Sequence, residues 1–87
     1  MSTQEKFEEA QARVKTLSRT PSNDQLLALY SLFKQAASGD VAGKRPGMLD
    51  IKGRAKFDAW TGSKGMSTED AMAAYVELVD KLIAGQS

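Results

Sequence analysis

The sequence contains no cysteine and no histidine. The chain therefore cannot form disulfides, zinc sites with Cys or His ligands, thiol nucleophiles, or a catalytic triad with an imidazole base. Its acidic residues fall at predicted helix starts or on polar helix faces, where capping and solvation account for them. We therefore expect a protein that is not an enzyme, with no metal site and no cofactor.

Long apolar runs are also missing. No stretch of the sequence approaches the roughly 18 apolar residues that a membrane-spanning helix requires. The first six residues, MSTQEK, have neither the cationic region nor the apolar stretch of a secretory signal. With 87 residues, of which 41% are hydrophobic and 26% are charged, the composition is that of a single soluble domain. We expect one domain over residues 1–87 and a cytoplasmic location.

The net charge is small, but the charged residues are unevenly distributed along the sequence. The formal net charge is only +1. Residues 41–65 nevertheless contain six basic side chains and two acidic ones, whereas residues 66–87 contain one basic and four acidic side chains. This distribution predicts one cationic region that favours an anionic partner.

Proline occurs only twice, and glycine and proline together separate four helix-like segments. Three segments begin with a serine and an acidic or amide residue three positions later, the spacing of a capping box. These pairs are Ser2 with Glu5, Ser22 with Gln25, and Ser67 with Asp70. Apolar residues then recur at steps of three and four. We predict helices over residues 2–17, 22–37, 50–61 and 67–84.

The connection between the second and third helices is long. Residues 38–49 include three glycines and one proline, which argue against regular structure. About 12 extended residues can reach roughly 40 Å, more than the roughly 24 Å length of a 16-residue helix. The second and third helices can therefore run parallel. The pattern predicts an all-α four-helix bundle, with its helices antiparallel or joined by a crossover connection.

Candidate chemistry lies on the second and third helices. Tyr30 and Lys34 are four residues apart and share one helix face. Lys52 and Lys56 have the same spacing, with Trp60 one turn further, and an anion would relieve the repulsion between the two lysines. Taken singly, each lysine is more often a solvated surface residue than a ligand. Tyr75 likewise fits a core aromatic residue.

Several segments resemble the acyl-CoA-binding protein family. Residues 21–40 read PSNDQLLALYSLFKQAASGD and are similar to the family signature. The same pattern continues, in the order of the family, with RPGMLD at 45–50, KGRAK at 52–56, Trp60, EDAM at 69–72, and AY at 74–75. The resemblance covers essentially the whole chain without a gap.

This resemblance implies both a topology and a function. The family fold is a four-helix bundle in up-down-down-up order with a long crossover loop between helices 2 and 3. The function it implies is non-covalent binding of long-chain fatty acyl-CoA thioesters by an intracellular carrier and pool former. We therefore expect a monomer that binds acyl-CoA, makes transient contacts with acyl-CoA-using enzymes or membranes, and does not bind nucleic acid.

The resemblance also implies a binding site. In the family, the residues that match Tyr30, Lys34 and Lys56 hold the adenosine 3′-phosphate. The residue that matches Tyr75 helps to enclose the nucleotide, and the one that matches Lys15 contacts the ligand. The full predicted ligand set is Lys15, Tyr30, Ser31, Leu32, Phe33, Lys34, Lys52, Lys56 and Tyr75. We expect the acyl chain to lie beside helix two, against some of Leu26, Leu27, Leu29 and Met48.

Two positions depart from the family pattern. Many members have tyrosine in place of Phe33, so a ring is kept here but a hydroxyl contact is lost. Tryptophan is common in place of Phe57, which leaves Trp60 as the single tryptophan.

Two other functions stay open at this point. A helical protein interaction module would use the wide apolar face of helix two. A basic helical nucleic-acid binder would use the cationic region, although the sequence has no helix-turn-helix spacing.

Overall fold

The computed structural model describes residues 2–85 and contains four helices in this range, with no strand. The helices are α1 (Thr3–Val14), α2 (Asn23–Ser38), α3 (Ile51–Gly62) and α4 (Thr68–Ala84). The predicted all-α four-helix fold is confirmed. None of the described helices is both long and apolar enough to span a membrane.

The helix starts are fixed by side chains that bind free backbone N–H groups. Ser2 and Ser22 each form a complete capping box, with Glu5 and Gln25 respectively. At α4, the Ser67 hydroxyl accepts a hydrogen bond from the Asp70 N–H at 3.0 Å, but the reciprocal bond of the predicted capping box does not form. The side chain of aspartate is one methylene shorter than that of glutamate, so it does not reach back to the cap residue.

The end of α1 differs from the prediction. The helix stops at Val14, three residues before Leu17. Residues 15–17 continue as a tighter turn, in which the Thr16 N–H donates to the Arg13 carbonyl at 2.9 Å. The Thr16 hydroxyl donates to the same carbonyl at 2.7 Å and adds a further hydrogen bond at the helix end. The other predicted bounds lie within one residue of the observed ones.

Contacts between side chains show that α1 and α4 run parallel. In the first half of both helices, the Phe7 and Tyr75 rings lie 5.1 Å apart in an edge-to-face arrangement. Near their ends, Arg13 donates to Asp80 at 2.7 Å. Because both residue numbers increase from the first contact to the second, the two helices run in the same direction.

The helices α2 and α3 are also parallel. Lys56 of α3 lies over the ring of Tyr30, and one turn further along both helices Lys34 of α2 lies over Trp60. The crossover connection predicted from the sequence therefore exists.

The helices α2 and α4 are antiparallel. The Gln35 amide, near the end of α2, donates to the Met66 carbonyl at 2.9 Å, just before α4 begins. At the other end, Gln25 lines one cavity together with Lys81 and Leu82 of α4. Together, the three pairings give the up-down-down-up order.

The hydrophobic core is built from only three helices. Its fully buried apolar side chains belong to α1, α2 and α4, and no residue of α3 is buried. These core residues are Phe7, Ala10, Leu29, Ala36, Ala71, Met72, Tyr75 and Val79. The helix α3 therefore lies at the edge of the bundle, beside α2.

Hydrogen bonds attach α3 to its neighbours. The buried Ser31 hydroxyl of α2 bonds to the Ala59 carbonyl and to the Ser63 hydroxyl. The Trp60 indole N–H donates to the Gly39 carbonyl at 2.8 Å. These polar bonds join α3 to α2 and to the first residue after it.

The crossover connection folds back onto α3. Arg45 makes two hydrogen bonds to the Asp58 carboxylate, at 3.0 and 2.8 Å. Arg54 of α3 donates to the Pro46 carbonyl at 2.8 Å. These contacts fix the part of the connection that leads into α3.

Candidate functional site

Two lysines and two aromatic rings alternate across the α2–α3 interface. Lys34 Nζ lies 4.8 Å from the centroid of the Trp60 ring, and Lys56 Nζ lies 5.5 Å from the centroid of the Tyr30 ring. Both distances are in the range of cation–π contacts. Four residues of an α-helix rise about 6 Å, so the two contacts stack one turn apart. We call these four residues the lysine–aromatic quartet.

The positive charges of this surface are not neutralised by carboxylates. Within residues 2–85, the ion pairs join Arg13 to Asp80, Arg45 to Asp58, and Lys81 to Glu77. None of them involves Lys34, Lys52 or Lys56. Aromatic rings orient ammonium groups without cancelling their charge. The quartet is therefore suited to an anion.

An open groove lies next to the quartet. It has a volume of about 330 Å³ and runs between the first turns of α2 and α3. Lys56 belongs to both the groove and the quartet, so the cationic site and the groove are continuous. The lining residues are Asn23, Leu26, Leu27, Ile51, Lys52, Ala55 and Lys56. Most of them are apolar, and two are cationic.

Only two of the four predicted acyl-groove residues line this groove. Leu26 and Leu27 do so, whereas Leu29 is 7% exposed and packs in the core. Because a helix turns about 100° per residue, residues 27 and 29 point to nearly opposite sides. Met48 lies in the crossover connection, is 80% exposed, and is not part of the groove lining.

The predicted ligand residues Ser31 and Leu32 lie at the α2–α3 interface. They line a second open pocket of about 370 Å³ with Ala59 and Ser63, and Leu27 lines both this pocket and the groove. The Ser31 hydroxyl is already bonded to α3. Its observed contacts are therefore structural.

Two of the predicted ligand residues, both aromatic, pack against Phe7 of α1. The Phe33 ring stacks on it at a centroid distance of 6.1 Å, and the Tyr75 ring meets it edge-on at 5.1 Å. Tyr75 is only 5% exposed, and burial raises the pKa of its hydroxyl. The structure gives Tyr75 no ring contact with the lysine–aromatic quartet.

Lys15 stands apart from the other predicted residues. It is exposed and caps the end of α1 through its backbone N–H. Among residues 2–85, its side chain takes part in none of the ion pairs or ring contacts.

Comparison with known proteins identifies the family. The profile described as "Acyl CoA binding protein" matches residues 4–79. The chain belongs to the acyl-CoA-binding protein family. It is 55% identical over 78 residues to acyl-CoA-binding protein homolog 1 of Caenorhabditis elegans, covering 90% of this chain and 91% of the relative. It is 53% identical over 85 residues to the acyl-CoA-binding protein homolog of Manduca sexta, covering 97% and 94%.

Solved structures of acyl-CoA-binding proteins have the same fold. The crystal structure of Oryza sativa acyl-CoA-binding protein 2 matches with a TM-score of 0.92 at 45% identity, covering 97% of this chain and 93% of that chain. The crystal structure of the Moniliophthora perniciosa protein matches with a TM-score of 0.90 at 38% identity, covering 100% and 85%. The family is one of binding proteins.

Four residues of this surface were not among the predicted site residues. Trp60 completes the quartet, Ile51 and Ala55 form the α3 wall of the groove, and Asn23 belongs to its α2 wall. The spacing of four between Lys56 and Trp60 was a signal for the first. No local pattern marked the other three, because they become groove residues only through the pairing of α3 with α2. No group of three or more His, Cys, Asp or Glu residues in the described part of the chain is placed to hold a metal ion.

Proposed function

We propose that this chain binds long-chain fatty acyl-CoA thioesters non-covalently and carries them as an intracellular pool. The observation that carries the proposal concerns Lys34 and Lys56. Each of these lysines lies over an aromatic ring of the other helix in a parallel pair, and neither has a carboxylate partner among the described residues. An apolar groove continues from this pair. A ligand with an anionic head and a hydrocarbon tail fits both features, and membership of the family supports the same ligand.

The adenosine 3′-phosphate is the proposed partner of the quartet. A phosphate monoester carries about −1.5 to −2 charges at neutral pH. An exposed cation–π contact contributes about 0.5 to 1 kcal/mol, whereas a charge-assisted hydrogen bond contributes about 1.5 to 3 kcal/mol. Lys34 and Lys56 therefore gain by exchanging their ring contacts for the phosphate. The Tyr30 hydroxyl would donate a further hydrogen bond.

The acyl chain is proposed to occupy the α2–α3 groove, against Leu26, Leu27, Ile51 and Ala55. Each buried methylene contributes up to about 0.8 kcal/mol, so affinity should increase with chain length until the groove is filled. The phosphate would then fix the position of the ligand, and the hydrocarbon would set most of the affinity.

The remaining predicted ligand residues have supporting roles in this proposal. Lys52 adds positive charge at the groove, and Phe33 and Tyr75 would pack near the nucleotide through the edges of their rings. Lys15 would reach the ligand from the end of α1.

We also propose that the chain acts without catalysis, as a cytoplasmic monomer. Its sequence offers neither an imidazole base nor a thiol nucleophile. The ligand would bind and leave unchanged, with transient contacts to the enzymes or membranes that supply and receive it.

Fluorescence of Trp60 tests this function. It is the single tryptophan, and Lys34 lies over its ring, so displacement of Lys34 changes its surroundings. Palmitoyl-CoA, free CoA and duplex DNA are titrated in parallel. We expect saturation at one palmitoyl-CoA per chain, weaker binding of free CoA, and no saturable response to DNA. Tight binding of DNA, or no saturable response to palmitoyl-CoA in either fluorescence or calorimetry, would refute the proposal.

A further inference from the structure

The second open pocket at the α2–α3 interface lies beside the groove, on the other side of Leu27. Because a helix turns about 100° per residue, Leu26 and Ala28 point to nearly opposite sides of Leu27. Leu26 lines the groove, Ala28 lines the pocket, and Leu27 lines both. We call this pocket the serine pocket. Its volume is about 370 Å³, and its lining residues are Leu27, Ala28, Ser31, Leu32, Ala59, Gly62 and Ser63.

Small residues of α3 connect the groove with the serine pocket. Ala55 lines the groove, and Ala59, one turn further along α3, lines the serine pocket together with Gly62. A Cβ atom at Gly62 would have no packing neighbour within 4 Å, so space remains at this position. Leu27, which faces these residues from α2, is only half-buried. A hydrocarbon chain in the groove can therefore continue between Leu27 and α3 into the serine pocket.

Two buried hydroxyls form the polar part of the serine pocket. Ser31 and Ser63 are each 7% exposed, and their hydroxyl oxygens are hydrogen-bonded to each other. The Ser31 hydroxyl donates its only proton to the Ala59 carbonyl, so the Ser63 hydroxyl must donate to Ser31. Both protons are therefore used within the protein. Among the hydrogen bonds of residues 2–85, none is donated to the Ser63 hydroxyl oxygen, which keeps two lone pairs for a donor in the pocket.

We propose that the serine pocket receives the distal end of a hydroxylated acyl chain, whose hydroxyl group donates to the Ser63 hydroxyl oxygen. The proposal rests on the acyl-CoA function and names the class of acyl chain, one hydroxylated near its methyl end. Apart from the two serines, the lining residues are apolar and favour hydrocarbon. The lining offers neither a cation for an anionic group nor a carboxylate for an ammonium group. A neutral donor is therefore the polar group that fits.

Calorimetry with matched esters tests this proposal. The ester ω-hydroxystearoyl-CoA carries its hydroxyl at the far end of the chain, whereas a second ester carries it beside the thioester, away from Ser63. We expect the ω-hydroxy ester to bind about two- to tenfold more tightly than stearoyl-CoA, which is the effect of one net hydrogen bond. The second ester should gain nothing.

The outcomes that contradict the proposal are distinct from those that contradict the acyl-CoA function. Equal or weaker binding of the ω-hydroxy ester, compared with stearoyl-CoA, would overturn the proposal alone. A gain of the same size for the ester hydroxylated beside the thioester would also overturn it, because that hydroxyl does not reach Ser63. Failure of stearoyl-CoA itself to bind would refute the acyl-CoA function, and this proposal with it.

Two variants separate the hydroxyl contact from the space that it needs. Ser63→Ala removes the acceptor and leaves the Ser31 hydroxyl bonded to Ala59. Gly62→Leu fills the pocket, and leucine is compatible with the backbone there because Gly62 is not among the glycines with positive φ. In each variant, the affinity ratio of the ω-hydroxy ester to stearoyl-CoA should fall to about one.

Ala12→Leu, on the exposed side of α1, is the control for an added leucine and should keep the ratio of the unmodified chain. Circular dichroism shows whether each variant is folded. If Ser63→Ala does not fold, Gly62→Leu alone decides the question. A folded Ser63→Ala or Gly62→Leu variant that keeps the ratio of the unmodified chain would overturn the proposal.

Discussion

Lys34 of α2 holds its ammonium nitrogen 4.8 Å from the centre of the Trp60 ring of α3. The parallel arrangement of the two helices repeats this relationship one turn earlier, where Lys56 of α3 lies over Tyr30 of α2. Each of the two helices therefore supplies one lysine and one aromatic ring to this pair of contacts. The result is two ammonium groups near one surface with no carboxylate between them, which is the physical basis of the proposed phosphate site.

The two quartet lysines can be tested by truncation. Lys34→Ala and Lys56→Ala should each weaken palmitoyl-CoA binding by about 10- to 100-fold, because each loses a charge-assisted hydrogen bond of about 1.5 to 3 kcal/mol. Calorimetry measures the affinity. The free energy of unfolding should fall by no more than about 1 kcal/mol, the size of the lost cation–π contact. Lys6→Ala, on α1, serves as the control for removal of a surface charge.

A folded Lys34→Ala or Lys56→Ala variant that keeps full affinity would remove that lysine from the site. A similar loss of affinity in Lys6→Ala would point to general charge attraction instead.

Leu27 and Leu29 form a matched pair that separates the groove from the core. Leu27 is half-buried in the groove, whereas Leu29 is 7% exposed and packs in the core. Leu29→Ala should lower the free energy of unfolding by about 2 to 5 kcal/mol and leave the affinity of the folded protein nearly unchanged. Leu27→Ala should lower affinity for long-chain esters more than for short-chain esters, with a smaller loss of stability.

Denaturant unfolding and calorimetry with esters of increasing chain length measure the two effects. If Leu27→Ala weakens all chain lengths equally, the acyl chain does not lie in the groove between α2 and α3.

Local signals in the sequence were sufficient for the helices but not for every helix end. Ser2 with Glu5 and Ser22 with Gln25 form the predicted capping boxes, because a cap needs only residues three positions apart. The end of α1 was placed at Leu17 because the apolar spacing of three and four continues to that residue. There, Thr16 and the tighter turn end the helix by a balance of weak bonds that a periodic pattern does not reveal.

The site was less predictable than the fold, because it depends on how helices pair. Spacing placed Tyr30 beside Lys34 on one helix and Lys56 beside Trp60 on another, but only the parallel pairing of α2 with α3 joins the two sets. The length of the connection allowed that pairing, and the family resemblance implied it. The apolar pattern of α2 likewise did not indicate that Leu27 lines the groove and that Leu29 lies in the core.

Asp40 should make stability depend on pH in the acidic range. Its carboxylate accepts hydrogen bonds from the Gly65 N–H at 2.9 Å and from the Gln35 amide at 2.8 Å, and these bonds lower its pKa. The folded state therefore binds this proton less tightly than the unfolded state, in which the pKa of aspartate is about 3.9. The stabilisation is present above that value and is lost as the pH falls through the folded pKa.

Replacement of Asp40 isolates this contribution. Asp40→Asn should be less stable than the unmodified chain at neutral pH, and the difference should shrink as the pH is lowered from about 5 to 3. Chemical unfolding over this range measures it. A difference that stays constant with pH would show that the Asp40 carboxylate does not carry the effect.

The most direct test of the account compares palmitoyl-CoA with palmitoyl-dephospho-CoA, which lacks only the 3′-phosphate, by calorimetry on the unmodified chain. Two charge-assisted hydrogen bonds, from Lys34 and Lys56, should make the phosphorylated ligand bind about 100-fold or more tightly. In Lys34→Ala, this ratio should be smaller. Equal affinities of the unmodified chain for the two ligands would contradict the assignment of the lysine–aromatic quartet as a phosphate site.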